Sequence, residues 1–170
     1  ETSWDPEALN DVKILWEDKV GVGFAAISVA DGKAVTSGNF SKKKDVITCF
    51  DAVTGKKLWS HDYPEERKAN LYEGGPNATP TIADGKVYTI SKTGKAFCLN
   101  LENGEVIWEK KLDFPKQEWG FAGSPVIVDE TVIYNAADGG VALNKDTGKV
   151  VWQSDQETSG YATIVQVKKG

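Results

Sequence analysis

The sequence predicts an all-β protein, a β-propeller built of four-stranded antiparallel blades. Three observations lead there. Trp16, Trp59, Trp108 and Trp152 stand 43, 49 and 44 residues apart, and each closes a short apolar run. Two sequence phrases recur between them in the same order, which is the mark of a repeat architecture. Finally, no stretch carries the apolar period of a helix. Short runs of β-branched, aromatic and small residues alternate instead with Gly, Asp and Asn.

The first phrase ends on the tryptophan: Cys49-Phe-Asp-Ala-Val-Thr-Gly-Lys-Lys-Leu-Trp59, Cys98-Leu-Asn-Leu-Glu-Asn-Gly-Glu-Val-Ile-Trp108 and Ala142-Leu-Asn-Lys-Asp-Thr-Gly-Lys-Val-Val-Trp152. Trp16 carries only its tail, Lys13-Ile-Leu-Trp16. The second phrase lies upstream, at Ala26–Val35, Thr79–Tyr88 and Ser124–Ile133, and Tyr161–Val165 begins a further copy. In the middle unit the pattern places strands at Thr79–Ala83, Lys86–Ser91, Ala96–Leu101 and Val106–Lys111. Asp84-Gly85, Thr93-Gly94 and Glu102-Asn103-Gly104 connect them, because Gly and Asn accept positive φ. Asp51, Asn100 and Asn144 open the last turn of each unit, where a short polar side chain bonds the backbone ahead of it. Gly55, Gly104 and Gly148 supply that turn's left-handed position. Each tryptophan ends or lies within the fourth strand, where its ring can pack between neighbouring blades, and the glycine four residues before it is close enough to stack on. Four antiparallel strands every ~45 residues are a propeller blade, and such blades bury their faces only by stacking on one another.

The chain therefore divides into an N-terminal arm with one outer strand around Trp16 (1–24), blade 1 (25–63), blade 2 with its entry loop (64–113), blade 3 (114–156), and the first strand of a further blade (157–170). Two partial blades would leave sheet edges and inner faces open. The chain of 170 residues also contains no methionine. Both features lead us to expect a piece of a longer ring, closed by the remaining blades of a parent chain or by a second copy.

With 20 Lys+Arg against 25 Asp+Glu, the net charge is −5. That balance argues against a nucleic-acid partner, which calls for clustered basic residues. The 40% hydrophobic fraction suits a folded domain. No apolar run approaches the ~20 residues of a spanning helix.

The phrase of Asp or Asn, then Thr-Gly or Asn-Gly, then Trp resembles the tryptophan-docking repeat of the pyrroloquinoline-quinone (PQQ) type β-propellers. Thr54-Gly55 to Trp59 and Thr147-Gly148 to Trp152 match well, and Asn103-Gly104 is a variant. That superfamily includes quinoprotein alcohol dehydrogenases and the non-enzymatic lipoprotein of the outer-membrane β-barrel assembly machine. Trp119-Gly-Phe-Ala-Gly-Ser-Pro125 also looks like PQQ-like repeat proteins of environmental bacteria. The resemblance implies a ring of seven or eight blades. It also implies a periplasmic or otherwise extracytoplasmic location, with a lipid anchor as an option for the parent protein. Quinone catalysis in that family implies bound Ca²⁺, an Asp base, a Trp platform and often a disulfide between adjacent cysteines. Here Cys49 and Cys98 are far apart in sequence, and no Asp-x-Asp-x-Asp-Gly loop appears.

The sequence therefore points to no catalytic residue, no cofactor-binding residue and no metal ligand. Cys49 and Cys98 share the repeat position of Ala142, which suits two small buried thiols. His61, the only histidine, falls in the connection His61–Asn77 and reads as a solvated loop residue. Lys42-Lys43-Lys44 reads as a solvated hairpin tip. Asn39-Phe-Ser41 and Asn77-Ala-Thr79 match the N-glycosylation pattern. Binding residues concentrate on loops held by a rigid scaffold. The entrances of the innermost strands are such loops, and they nominate Phe24, Asn77, Trp119, Phe121 and Tyr161 as a funnel for a protein or small ligand. Trp16, Trp59, Trp108 and Trp152, with Gly55, Gly104 and Gly148, form the structural docking set. The expected function is a non-catalytic extracytoplasmic binding module without cofactor. The alternative is the N-terminal part of a PQQ-dependent alcohol or polyol dehydrogenase whose quinone and Ca²⁺ ligands lie outside this chain.

Overall fold

The computed structural model describes residues 13–69, 73–115, 118–155 and 159–167. Twelve strands form three four-stranded antiparallel sheets, and no helix occurs among the described residues. Blade 1 contains β1 (Ser28–Ala30), β2 (Lys33–Phe40), β3 (Lys44–Asp51) and β4 (Lys57–Pro64). Blade 2 contains β5 (Thr81–Ala83), β6 (Lys86–Ile90), β7 (Lys95–Asn100) and β8 (Val106–Lys111). Blade 3 contains β9 (Val126–Val128), β10 (Thr131–Tyr134), β11 (Val141–Asn144) and β12 (Val150–Gln153). Each sheet runs in simple meander order, and the chain is the all-β propeller the repeats predict.

Local chemistry sets the turns. Asp31 and Gly32 lie at φ 49° and 71°, and Asp84 and Gly85 at 50° and 68°. Two left-handed residues in succession make the tight hairpin whose twist matches the flanking strands. At the last turn of blade 1, Asp51 Oδ1 accepts from Val53 N at 3.1 Å, Thr54 N at 2.7 Å and Thr54 Oγ1 at 2.8 Å. These donors hold the exposed Asp51 carboxyl below its usual range, the Thr54 main-chain bond contributing most. Asn144 Oδ1 accepts the matching three bonds in blade 3. Asn100 Oδ1 accepts from Glu102 N and Asn103 N in blade 2.

The core lies between blades. Val35, Ile47, Cys49, Trp59 and Tyr63 of blade 1 meet Val87, Phe97, Leu99 and Leu101 of blade 2. On the other side of blade 2, Tyr88, Ile90, Cys98 and Trp108 meet Val132, Tyr134, Val141 and Leu143 of blade 3. Strand β7 shows how one sequence serves both junctions: Phe97 and Leu99 face blade 1, while Ala96 and Cys98 face blade 3. That alternation follows from the two-residue period of a strand.

The tryptophans lock these junctions, and they do so one blade further on than the spacing suggests. The Trp59 indole lies over Gly104 of blade 2, and Trp59 Nε1 donates to Leu101 O at 2.8 Å. Trp108 lies over Gly148 of blade 3 and donates to Lys145 O at 2.8 Å. Trp16 covers Gly55 of blade 1, donates to Ala52 O at 3.0 Å and packs 5.6 Å from Phe50. The expectation that each ring stacks on its own blade's glycine is therefore corrected. A Trp and the Gly four residues before it sit on opposite sides of one sheet, so the ring reaches the neighbour instead. A Cβ at Gly104 would stand 2.7 Å from the Trp59 ring, and φ there is 75°. Only glycine meets both conditions. Cys49, Cys98 and Ala142 pair directly with Trp59, Trp108 and Trp152 across the sheet, each beside a register shift. That pairing explains why the position stays small.

Among the described residues, the two terminal strands expected from the sequence are not strands. Residues 13–21 run without ladder pairing, and the arm makes one isolated bridge, Val22 with Asn39. Trp16 therefore docks from an extended arm. Residues 159–167 also lie outside any strand, although they hydrogen-bond blade 3. Trp152 is 44% exposed, against 8% for Trp59 and for Trp108.

The docking geometry makes a stability prediction. Trp59→Ala and Trp108→Ala should each cost about 3–5 kcal/mol, the range for truncating a buried aromatic ring, while Trp152→Ala costs far less. Denaturant midpoints measure the difference, and equal losses at all three sites would contradict the docking order.

Candidate functional site at the inner-strand entrances

Each inner strand runs from one face of the propeller to an Asp-containing hairpin on the other. The entrances of β1, β5 and β9, the β2–β3, β6–β7 and β10–β11 hairpins, and the connections between blades therefore share one face. Hydroxyl groups tie the entrances into an arc. Ala26 N donates to Thr79 Oγ1 at 3.0 Å, Thr79 N to Ser124 Oγ at 3.1 Å, and Ser124 N to Thr163 Oγ1 at 3.1 Å. Three hydroxyl side chains, those of Thr79, Ser124 and Thr163, thus link four successive units. Ser28 and Thr81 add a second row, donating to Pro80 O and Pro125 O. The sequence reading missed this set. Part of its signal was present in Thr79-Pro-Thr81 and Ser124-Pro, which align in the repeat, whereas Thr163 stands two positions past the start of the copy at Tyr161.

On this arc the structure brings three of the five nominated residues together. Asn77 Nδ2 donates to Trp119 O at 3.1 Å. The Trp119 ring lies 5.2 Å from that of Tyr161, tilted by 36°. Trp119 keeps 40% of its surface exposed, and Tyr161 is half-buried. Asn135, which sequence reasoning did not single out, donates through Nδ2 to Gly160 O and Ala162 O at 3.2 and 2.6 Å, fixing the segment that carries Tyr161. Phe24 is 57% exposed at the blade 1 entrance, where its main-chain N donates to Pro76 O at 2.8 Å. Phe121 is different. It is 1% exposed in the core between blades 2 and 3 and packs beneath Gly94, so it lines no funnel. Gly120 between them takes φ 71°, which breaks the two-residue alternation that would keep positions 119 and 121 on one side, and Trp119 and Phe121 divide between surface and core.

A buried polar clasp adjoins the arc. Strands β2 and β3 of blade 1 extend past their counterparts in blade 2. Their tips bring Asn39 Nδ2 to Asp45 Oδ1 at 2.8 Å and to Glu65 O at 3.2 Å. Glu65 Oε2 in turn accepts from Thr93 Oγ1 at 2.8 Å and stands 3.9 Å from Lys95 Nζ. Lys95 also donates to Pro64 O and lies over the Tyr63 ring. Burial pushes the Asp45 carboxyl up, against the Asn39 hydrogen bond, and the nearby Glu65 charge adds to the rise. Beside the clasp, Glu65, Glu66, Lys68, Lys92, Thr93 and Gly120 line a cavity of about 210 Å³. Asn39 is 2% exposed, so its glycosylation pattern is out of reach in the folded chain.

His61 lies in β4 rather than in a loop, a second correction. Its ring meets Phe97 of blade 2 edge-on at 5.3 Å, and its Nε2 is buried without a hydrogen-bond partner. Burial lowers its pKa, with Asp62 and Glu109 opposing. Cys49 and Cys98 are buried free thiols. Burial pushes Cys49 up to about 11 and Cys98 up to about 12, which keeps both protonated. The two belong to different junctions, so they form no vicinal pair. Among the described residues no three His, Cys, Asp or Glu side chains converge on a point.

Fold and site together define a repeat β-propeller whose rigid entrances carry an aromatic platform. The chain belongs to the family described as outer membrane protein assembly factor BamB, whose model matches residues 8–119 and 42–169. It is similar to the outer membrane protein assembly factor BamB of Yersinia pestis, 29% identical over 152 residues, covering 85% of this chain and 37% of that protein. It is also similar to the quinohemoprotein alcohol dehydrogenase ADH IIB of Pseudomonas putida, 29% identical over 133 residues, covering 72% of this chain and 19% of that protein. The crystal structure of BamB from Moraxella catarrhalis superposes with a TM-score of 0.53 at 25% identity, covering 76% of this chain and 35% of that one. The chain thus spans well under half the length of these relatives. No helix among the described residues is long and apolar enough to cross a membrane.

The two titrations run in opposite directions. His61 binds its proton more weakly folded than unfolded. The stability it contributes is complete above the unfolded value near 6.5 and is lost as pH falls below it. Replacing His61 by Phe should flatten the stability profile just below that pH. Asp45 binds its proton more tightly folded, so stability is lost as pH rises from 3.8 through its folded value. Asp45→Asn, which keeps an acceptor for Asn39, should leave the neutral-pH denaturant midpoint unchanged or raised, and a large fall would contradict the geometry.

Proposed function

We propose that the chain is a non-catalytic, extracytoplasmic propeller module that holds a protein or small ligand at its inner-strand entrances, with Phe24, Asn77, Trp119 and Tyr161 as contact residues. The observation that carries this reading is the half-exposed Trp119–Tyr161 pair. A large amphipathic surface is presented there on backbone already ordered by Asn77, Asn135 and the hydroxyl arc. Preordered aromatic anchors bind at low entropic cost, which is why Trp and Tyr dominate binding hot spots. Similarity to outer membrane protein assembly factors supports the compartment and a protein partner.

A second reading is favoured by the similarity to a quinohemoprotein alcohol dehydrogenase. On it, these blades are one sector of a PQQ enzyme whose quinone and calcium ligands stand elsewhere in the ring. Incubating the protein in its full length with PQQ, Ca²⁺ and an alcohol separates the two. Quinone absorbance with dye reduction would establish the enzyme, and their absence leaves the binding module.

Trp119→Ala and Tyr161→Ala should keep the denaturant midpoint within about 1 kcal/mol, as for partly exposed positions, yet abolish retention of a partner that the unaltered protein retains in a pull-down from envelope extracts. Undiminished retention by both variants would place the contact surface elsewhere.

A further inference from the structure

Of the three Trp-covered turns, one carries a chemically labile pair. Asn103-Gly104 stands where the others have Thr54-Gly55 and Thr147-Gly148. Asparagine is thermolabile, and a following glycine offers no Cβ to hinder approach of its main-chain nitrogen to the asparagine Cγ. The folded turn occupies every group that this reaction needs. Gly104 N donates to Asn100 O at 2.9 Å, and Asn103 N donates to Asn100 Oδ1 at 3.2 Å. Asn103 Oδ1 accepts from Glu105 N at 3.0 Å, and Asn103 Nδ2 donates to Glu105 Oε2 at 2.9 Å. The Trp59 ring presses on Gly104, while Trp59 Nε1 holds Leu101 O two residues upstream of Asn103.

We propose that Asn103-Gly104 is a succinimide-forming modification site, kept latent by docked Trp59 and released when the junction between blades 1 and 2 opens. In the reaction, Gly104 N gives its proton to a solvent base and bonds to Asn103 Cγ. The Cγ–Nδ2 bond breaks, and the amide nitrogen takes a proton from solvent and leaves as ammonia. Water then opens the ring. Attack at Cγ restores the ordinary main chain with an aspartate side chain, and attack at the main-chain carbonyl leaves an isoaspartyl linkage through Cβ. The aspartyl product sets a carboxylate where Nδ2 had donated to Glu105, and the isoaspartyl product frees a carboxylate on the residue's Cα while its Cγ enters the main chain. The isoaspartyl product also lengthens the main chain by one carbon between Leu101 O, which receives the indole, and Gly104, which lies under it. The dock does not re-form unchanged, so the modification is a one-way record of junction opening.

The test is incubation of the intact chain in mildly alkaline buffer. Peptide mass mapping follows exchange of amide for acid at position 103, and an isoaspartyl methyltransferase assay follows the rearranged linkage. The folded chain should react about tenfold or more slowly than the same chain in denaturant, a factor equivalent to about 1.4 kcal/mol of protection. Trp59→Ala should approach the denatured rate. Trp59→Phe, which keeps a ring over Gly104 and loses the Nε1 bond, should fall between. Trp108→Ala, which loosens the other junction, should stay near the wild-type rate, and Asn103→Thr should yield no product at this turn. A wild-type rate equal to the denatured one, or Trp59 variants no faster than wild type, would overturn the proposal. Equal acceleration by Trp59→Ala and Trp108→Ala would also overturn it, because global unfolding rather than the local dock would then control the reaction.

Discussion

The contact between an indole ring and the turn of the next blade is the constraint from which the rest of the fold follows. It combines a large apolar face, laid on a glycine that has no Cβ to hold it away, with one indole N–H aimed at a carbonyl of the same turn. Both halves need the turn in one conformation, so the Asx side chain, the left-handed glycine and the ring are mutually dependent. The small residue opposite each Trp, whether Cys49, Cys98 or Ala142, is a further consequence, since it leaves room for the bulkier partner across the ladder. Blade-to-blade ion pairs repeat with the same period, Lys33 with Glu102 and Lys86 with Asp146. Such partly exposed pairs add little energy beside the dock.

The two faces of the propeller divide their work. Tryptophan docks and Asx turns hold one face, and on the other the hydroxyl arc and the Asn39–Asp45–Glu65 clasp order the strand entrances. Blade 1 rises above blade 2 there, and burying the Asp45 carboxylate costs stability that its hydrogen bonds only partly offset. What that ordering leaves presented is an aromatic pair on fixed backbone rather than a set of converging acids, bases or thiols.

Much of this was legible from residues alone, and the failures share a cause. The middle-blade strands fall within two residues of their expected bounds at each end, because alternation and turn chemistry are local. The docking partner of Trp59 was misassigned, since nearness in sequence favoured Gly55 while the strand carries the ring to the far side of its sheet. His61 was read as a loop residue although its repeat equivalent, Lys110, lies within β8; His61 and Tyr63 pair with Ile47 and Asp45 of β3, and both rings pack on Phe97 of the neighbouring blade. Phe121 was grouped with Trp119 as an aromatic at the same strand entrance, and the core between blades 2 and 3 takes only Phe121. Trp16 and Tyr161 lack strand partners among the described residues, so repeat position did not translate into a ladder.

By itself, then, the sequence determined the repeat, the turn types, the four-strand unit and the identity of the docking residues, since each depends on chemistry within a few positions. Only the tertiary structure decided which glycine each tryptophan covers, which aromatic residues face solvent, and how the hydroxyls join successive units. Those choices depend on which side of a sheet a residue takes and on what the next blade places against it, and neither is encoded within a single repeat.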